Sequence, residues 1–114
     1  MKTLVLAFGF AIITAPAFAQ AIQPADAKTH VGQTVTVEGM VDNVHTTAAG
    51  NTYIDIGGRY PNNPFAAVIF ESDAGKFPNV DALDGKTIDI TGRIRLYRGA
   101  PEIILSDPGQ IRAK

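Results

Sequence analysis

GQTVTVEGMV (Gly32–Val41) and GKTIDITGRI (Gly85–Ile94) decide how this chain folds. Each opens with a glycine and a polar residue, then alternates polar and mostly β-branched positions from its threonine. Each is interrupted by a second glycine, Gly39 or Gly92, five residues after that threonine. Alternation of period two is the pattern of a half-buried strand. A glycine inside such a strand marks a bulge or a sharp bend. Two long strands that each bend at a glycine let a small sheet curl and close on itself. The segments are short and their flanks differ, so we read no gene duplication into them.

Working outward, Met40–Val44 continues the first strand and Thr46–Asn51 (TTAAGN) reads as a loop. TYIDI (Thr52–Ile56) is a second strand, with Ile54 and Ile56 on one face and Tyr53 and Asp55 on the other. GGRYPNNP (Gly57–Pro64) is a turn segment, and FAAVIF (Phe65–Phe70) a third strand, apolar on both faces. Ser72–Leu83 contains Pro78, so any helix there is short and irregular. The second quoted stretch extends into a fourth strand, Thr87–Tyr97. After the turn Arg98–Pro101, EIIL (Glu102–Leu105) is the fifth. The residues from Pro108 to Lys114 read as a tail. Pro24–Lys28 suits a helical turn that stops near Gly32, too short to supply a core helix.

Strands in the order long, short, medium, then a helical connection, then long and short, predict an all-β domain with one or two short helices. The layout is that of a five-stranded Greek-key barrel, the OB-fold. An open sandwich needs about seven strands, and there is no room for them.

HVGQTVTVEGMV (His30–Val41), TYIDIGGRYPNNPFAAVIF (Thr52–Phe70) and YRGAPEIILSDPGQI (Tyr97–Ile111) also carry a resemblance. Over residues 24–111 the chain resembles small exported bacterial OB-fold domains, similar in pattern to the anticodon-binding type of nucleic-acid OB-fold. Such domains occur alone or fused to secreted nucleases. The resemblance implies an OB-fold and a ligand that is single-stranded nucleic acid or another oligomeric anion.

At the start of the chain, Lys2 precedes an apolar run of ten residues, Leu4–Ile13, and Ala17-Phe18-Ala19 places small residues before Gln20. That order predicts a cleavable signal peptide over residues 1–19 and a single domain over 20–114, destined for the periplasm or the medium. The run is shorter than the roughly 20 residues a membrane-spanning helix needs. The whole chain has 10 basic and 11 acidic residues; taking Lys2 away with the leader leaves 9 against 11, a net charge of −2. A strong nucleic-acid binder usually shows a basic excess, so any basic site here must be local. With no cysteine in the chain, stability must come from burial and strand pairing.

Three candidate sites follow. In the fourth strand Ile90, Ile94 and Leu96 share the inward parity, so Arg93, Arg95 and Tyr97 face out, with Asp89 among them. Such a row, with Arg98, could follow a phosphate backbone and stack a base; its ordinary reading is a solvated strand face. Tyr53, Arg59 and Tyr60 could line the platform of the second and third strands, while Phe65 reads as core or rim. Arg98 and Glu102 could contact ligand from the last hairpin or simply pair across it. The two histidines, His30 and His45, lack metal-ligand spacing and read as surface or capping residues. Asp42, Asp55 and Arg59 are the nearest thing to a metal-nuclease set, and nothing in their spacing compels it. No catalytic residue, metal or cofactor is therefore assigned. The expectation is an exported, non-enzymatic binding module for single-stranded nucleic acid or another oligomeric anionic ligand. The alternative is a protein-interaction or envelope-stress module with no nucleic-acid role.

Overall fold

The computed structural model describes residues 20–114; the proposed leader lies outside the described residues. Six strands form: β1 (Thr34–Thr46), β2 (Thr52–Ile56), β3 (Phe65–Ile69), β4 (Thr87–Tyr97), β5 (Ala100–Ile104) and β6 (Ile111–Ala113). β1 through β5 close into a ring. Its order is β1-β2-β3-β5-β4, and β4 pairs back onto β1. All pairings in the ring are antiparallel except β3 with β5. This is the five-stranded Greek-key barrel predicted from the strand order. The tail adds something the sequence reading left out: β6 pairs with β4 outside the ring. Gln110 fastens it. The Gln110 side chain accepts from the backbone N–H groups of Ser106 and Asp107 and donates to the carbonyls of Thr91 and Ile104.

The two echoing segments are partners of each other. Val37 and Ile90, each five residues past its opening glycine, face one another at the centre of the β1–β4 ladder. The ends of the ladder match under the same exchange. Gly32 N–H donates to the Ile94 carbonyl (2.8 Å) as Gly85 N–H does to that of Val41 (2.9 Å). Ile94 N–H donates to Gln33 (3.0 Å) as Val41 N–H does to Lys86 (2.8 Å). The likeness in sequence is thus a local two-fold arrangement of two bent strands.

Gly39 does not form the bulge expected of it. It stays in regular register with Ile88, and the extra residue is Asp42, between the pairs Val41–Ile56 and Asn43–Asp55. What Gly39 supplies is space: a Cβ there would lie 2.5 Å from Ile56 Cγ2 and 2.7 Å from Pro24 Cγ. Gly92 does the same on β4, where a Cβ would lie 2.5 Å from Ile103 Cγ2. At these glycines the strands leave one partner for the next, and the neighbouring layer closes against bare backbone.

The interior is aliphatic, built from Val37, Val41, Ile54, Ile56, Ile69, Ile88, Ile90, Ile94, Ile103 and Leu105, with Phe65 fully buried among them. The 3-10 turn Pro24–Thr29 contributes more than a short polar entry would: Ala27 is buried in this core and Pro24 packs beside Gly39 and Gly57. The connection before β4 consists of two 3-10 turns, Glu71–Lys76 and Val80–Leu83, with Phe77 anchoring them to the core. No helix among the described residues is long and apolar enough to cross a membrane.

Candidate binding groove

Register, rather than sequence proximity, builds the outer face of β2, β3 and β5. Asn43, Asp55, Ala66, Glu102 and Arg95 follow one another across five strands as consecutive paired positions. The next row begins with His45 opposite Tyr53, then Val68 and Ile104. Over these rows lies a groove of about 520 Å³. All three tyrosines of the chain, Tyr53, Tyr60 and Tyr97, line it, along with Arg98, His45, Asp55 and Glu102.

Each wall has a local cause. Tyr97 and Ala100 close the β4–β5 hairpin, so its loop is only Arg98 and Gly99, both with positive φ (52° and 81°). A two-residue loop with two positive φ values matches the right-handed twist of its flanking strands. It places the Arg98 guanidinium over the Tyr97 ring, 5.3 Å from the centroid. On the opposite wall the Gly57–Pro64 loop folds back, carrying Tyr60 and Pro61 across a cis peptide bond. Asn63 pins this loop down, donating to the Phe65 carbonyl (3.1 Å) and to Asp55 Oδ1 (3.4 Å).

The floor is acidic and buried. Asp55 is 1% exposed and Glu102 4%. Glu102 is satisfied by Arg95, whose Nε and one terminal nitrogen both reach Oε2 at 2.8 Å. Arg95 also lies over the Phe70 ring. Asp55 is not satisfied in the same way. His45 Nε2 lies 3.3 Å from its Oδ2, but the contact is off-line, and neither buried atom makes a hydrogen bond. The His45 ring stacks on Tyr53 with centroids 5.5 Å apart and planes 12° from parallel. The Tyr53 hydroxyl is held above its ordinary value of 10.0, chiefly because burial penalises the phenolate, and then because Glu102 and Tyr97 add to that; Arg95 and Arg98 act in the other direction.

The residues singled out from sequence thus divide. Tyr53, Tyr60, Tyr97 and Arg98 meet in the groove. Arg95 supports its floor through Glu102. Arg59 sits outside, donating to Asn43 at 3.4 Å. Arg93 stands opposite Thr34 of β1, whereas Arg95 stands opposite Glu102 of β5. Leu96 has the expected parity but lies past the end of the core and is exposed. The expected Arg98–Glu102 pair does not form, because Glu102 faces Arg95 in register. Asp89 is buried, with Arg112 and Lys114 of the tail at 3.4 and 3.7 Å. His30 caps the first 3-10 turn, its Nδ1 3.0 Å from the Asp26 carbonyl. His45 belongs to the groove instead; its even spacing from Tyr53 across the β1–β2 hairpin was the available signal. Among the described residues no three His, Cys, Asp or Glu side chains converge as metal ligands.

This arrangement is an OB barrel. No protein-family model and no curated protein matches the sequence. Solved structures do match in shape. An OBody bound to hen egg-white lysozyme superposes with a TM-score of 0.61 at 16% identity, over 82% of this chain and 91% of the other. A chain assigned as an aspartyl-tRNA synthetase from Leishmania major gives 0.57 at 10% identity, over 90% of this chain and 22% of its own. Aspartyl-tRNA synthetase from Entamoeba histolytica gives 0.50 at 15% identity, over 75% and 19%. This chain therefore spans about a fifth of the length of each synthetase. At such identities the likeness establishes the fold.

Proposed function

We propose that the protein is an exported, non-enzymatic OB-fold module whose groove binds single-stranded nucleic acid. The observation that carries this is the gathering of every tyrosine in the chain, with Arg98, around one groove on the outer face of β2, β3 and β5. OB-folds take their ligands on this face and from the adjoining loops. Single strands are held by basic side chains along the backbone together with aromatic side chains on which bases stack. Two of the structures that share the fold belong to enzymes named for a tRNA substrate, which supports the same reading. In this reading Tyr53, Tyr60 and Tyr97 offer stacking surfaces and Arg98 meets a phosphate. Arg95 acts through Glu102, and Arg59 and Arg93 extend the basic edge beyond the groove. The leader sends the domain to the periplasm or the medium.

Fluorescence anisotropy with labelled single-stranded oligonucleotides at low salt tests this. Binding is expected at or below about 100 μM, weakened at least fivefold by Tyr53→Ala or by Tyr97→Ala, about 1 kcal/mol or more for each lost stack. No binding in that range would overturn the reading. A protein partner captured from envelope extract that survives nuclease and high salt would then favour the interaction-module alternative.

A further inference from the structure

The groove floor carries two buried carboxylates in different states. They flank Ala66, one on each neighbouring strand, in the row that runs from Asn43 to Arg95. Glu102 has its counter-charge in place, at 2.8 Å from two nitrogens of Arg95. Asp55 has the Asn63 amide on Oδ1, at the long distance of 3.4 Å, and His45 Nε2 at 3.3 Å from Oδ2 without a hydrogen bond. Asp55 lines the groove, and its Oδ2 is buried and makes no hydrogen bond. A buried acceptor without a donor costs free energy that a partner group restores. A phosphate cannot be that partner, because it brings acceptors and like charge to a carboxylate. Only a donor-bearing part of the ligand fits, and it must be flat enough to lie beside the Tyr53 ring.

We propose that Asp55 is a specificity-determining residue: the groove seats a nucleobase with its amino edge on Asp55, preferring guanine, then cytosine and adenine, over thymine or uracil. This rests on the nucleic-acid reading above and names which bases that site selects. Guanine presents two adjacent N–H donors, N1–H and the N2 amino group, to the two oxygens of one carboxylate. Cytosine and adenine present one amino group beside a bare ring nitrogen. Thymine and uracil present a single N–H between two carbonyl oxygens, which face the carboxylate with like partial charge. His45 Nε2, also without a hydrogen bond, lies beside Asp55 and offers a second contact along the same edge.

The test uses the unaltered protein first. Anisotropy is measured with a short all-thymine strand and with strands carrying one central guanine or cytosine in place of thymine. The guanine strand is expected to bind about tenfold more tightly than the thymine strand, with the cytosine strand between them. In Asp55→Asn, one oxygen becomes a donor, and the guanine preference over thymine is expected to fall to twofold or less. Circular dichroism and thermal melting confirm that the variant is folded. Equal binding of all strands by the unaltered protein, or an intact guanine preference in folded Asp55→Asn, overturns the role of Asp55 and leaves nucleic-acid binding standing. Failure of every strand to bind overturns the underlying reading, and the role of Asp55 with it.

Discussion

Gly92→Ala isolates the contact on which barrel closure depends. The backbone at Gly92 is not in the left-handed region, so alanine is free of conformational strain there. In open space the change would stabilise the protein by about 0.4–1 kcal/mol, through the lower entropy of the unfolded chain. Space is what is missing. The new Cβ would stand 2.5 Å from Ile103 Cγ2, about 0.9 Å inside the 3.4 Å at which ordinary contact begins (3.4 − 2.5). Ile103 is 0% exposed, so the methyl has nowhere to retreat without moving β5. Overpacking of this kind costs about 1–3 kcal/mol. Subtracting the entropic gain leaves a net loss of up to about 2.6 kcal/mol, with a central value of about 1.3 kcal/mol. For a domain of this size the central value is a fall in Tm of about 5–10 °C. Gly75→Ala is the internal control, because a Cβ there meets nothing within 4 Å; it should hold or raise Tm. Thermal and urea unfolding of both variants check this, with Ile103→Ala combined with Gly92→Ala to remove the offending methyl. The double variant should be more stable than the sum of the single losses by about 1 kcal/mol or more. A Gly92→Ala protein as stable as Gly75→Ala, or strictly additive losses, would refute the close-approach account.

Two further outcomes follow from the groove. Arg95→Ala strands the Glu102 carboxylate, which is 5% exposed, and should cost about 1–3 kcal/mol in urea unfolding. The loss stays below that of a fully buried pair because Arg95 itself is nearly half exposed. Arg98→Ala should change stability by less than about 0.5 kcal/mol; the reverse order would mean that Arg98, not Arg95, serves Glu102. For Tyr53 the sign follows from its raised value. The fold favours the neutral phenol, so its contribution to stability is whole below 10.0 and is lost as the pH climbs through the folded-state value. An alkaline titration of tyrosinate absorbance should show a step above 10.0 that Tyr53→Phe removes. Persistence of that step in the variant would assign it elsewhere.

The barrel was legible because its signals are local. Alternation in Thr34–Glu38, Thr52–Ile56 and Thr87–Tyr97 states which side chains face inward, and the glycines state where two strands must bend. The short β6 lacked such a signal: Ile111–Ala113 is three residues long, held by β4 and by Gln110. The site was half legible. Parity showed Tyr53 and Tyr97 facing out, and the turn chemistry of Arg98-Gly99 brought Arg98 beside Tyr97. Parity could not show that Arg93 still pairs with β1, at Thr34, while Arg95 pairs with β5, at Glu102. Nor could it show Asp55 and Glu102 on one floor. They are 47 residues apart in sequence (102 − 55) and meet only through the parallel register of β3 on β5. An isolated Asp or His reads as a solvated residue until that register is known, so the sequence alone does not join His45 and Asp55 in one groove.

The two-fold pairing of β1 with β4 also governs how quickly this protein can become itself. Its partners stand from 47 residues apart, Met40 with Thr87, to 59 apart, Thr34 with Arg93. The hairpins β1–β2, β2–β3 and β4–β5 can form from neighbours, but the ring waits for two encounters across the chain: β1 with β4, and β3 with β5. Topologies dominated by such distant encounters fold in milliseconds to seconds, slowly for their size. No disulfide can hold the halves together meanwhile. The groove floor is assembled by the second of those encounters, so the chain has no floor to offer a ligand until the barrel has shut.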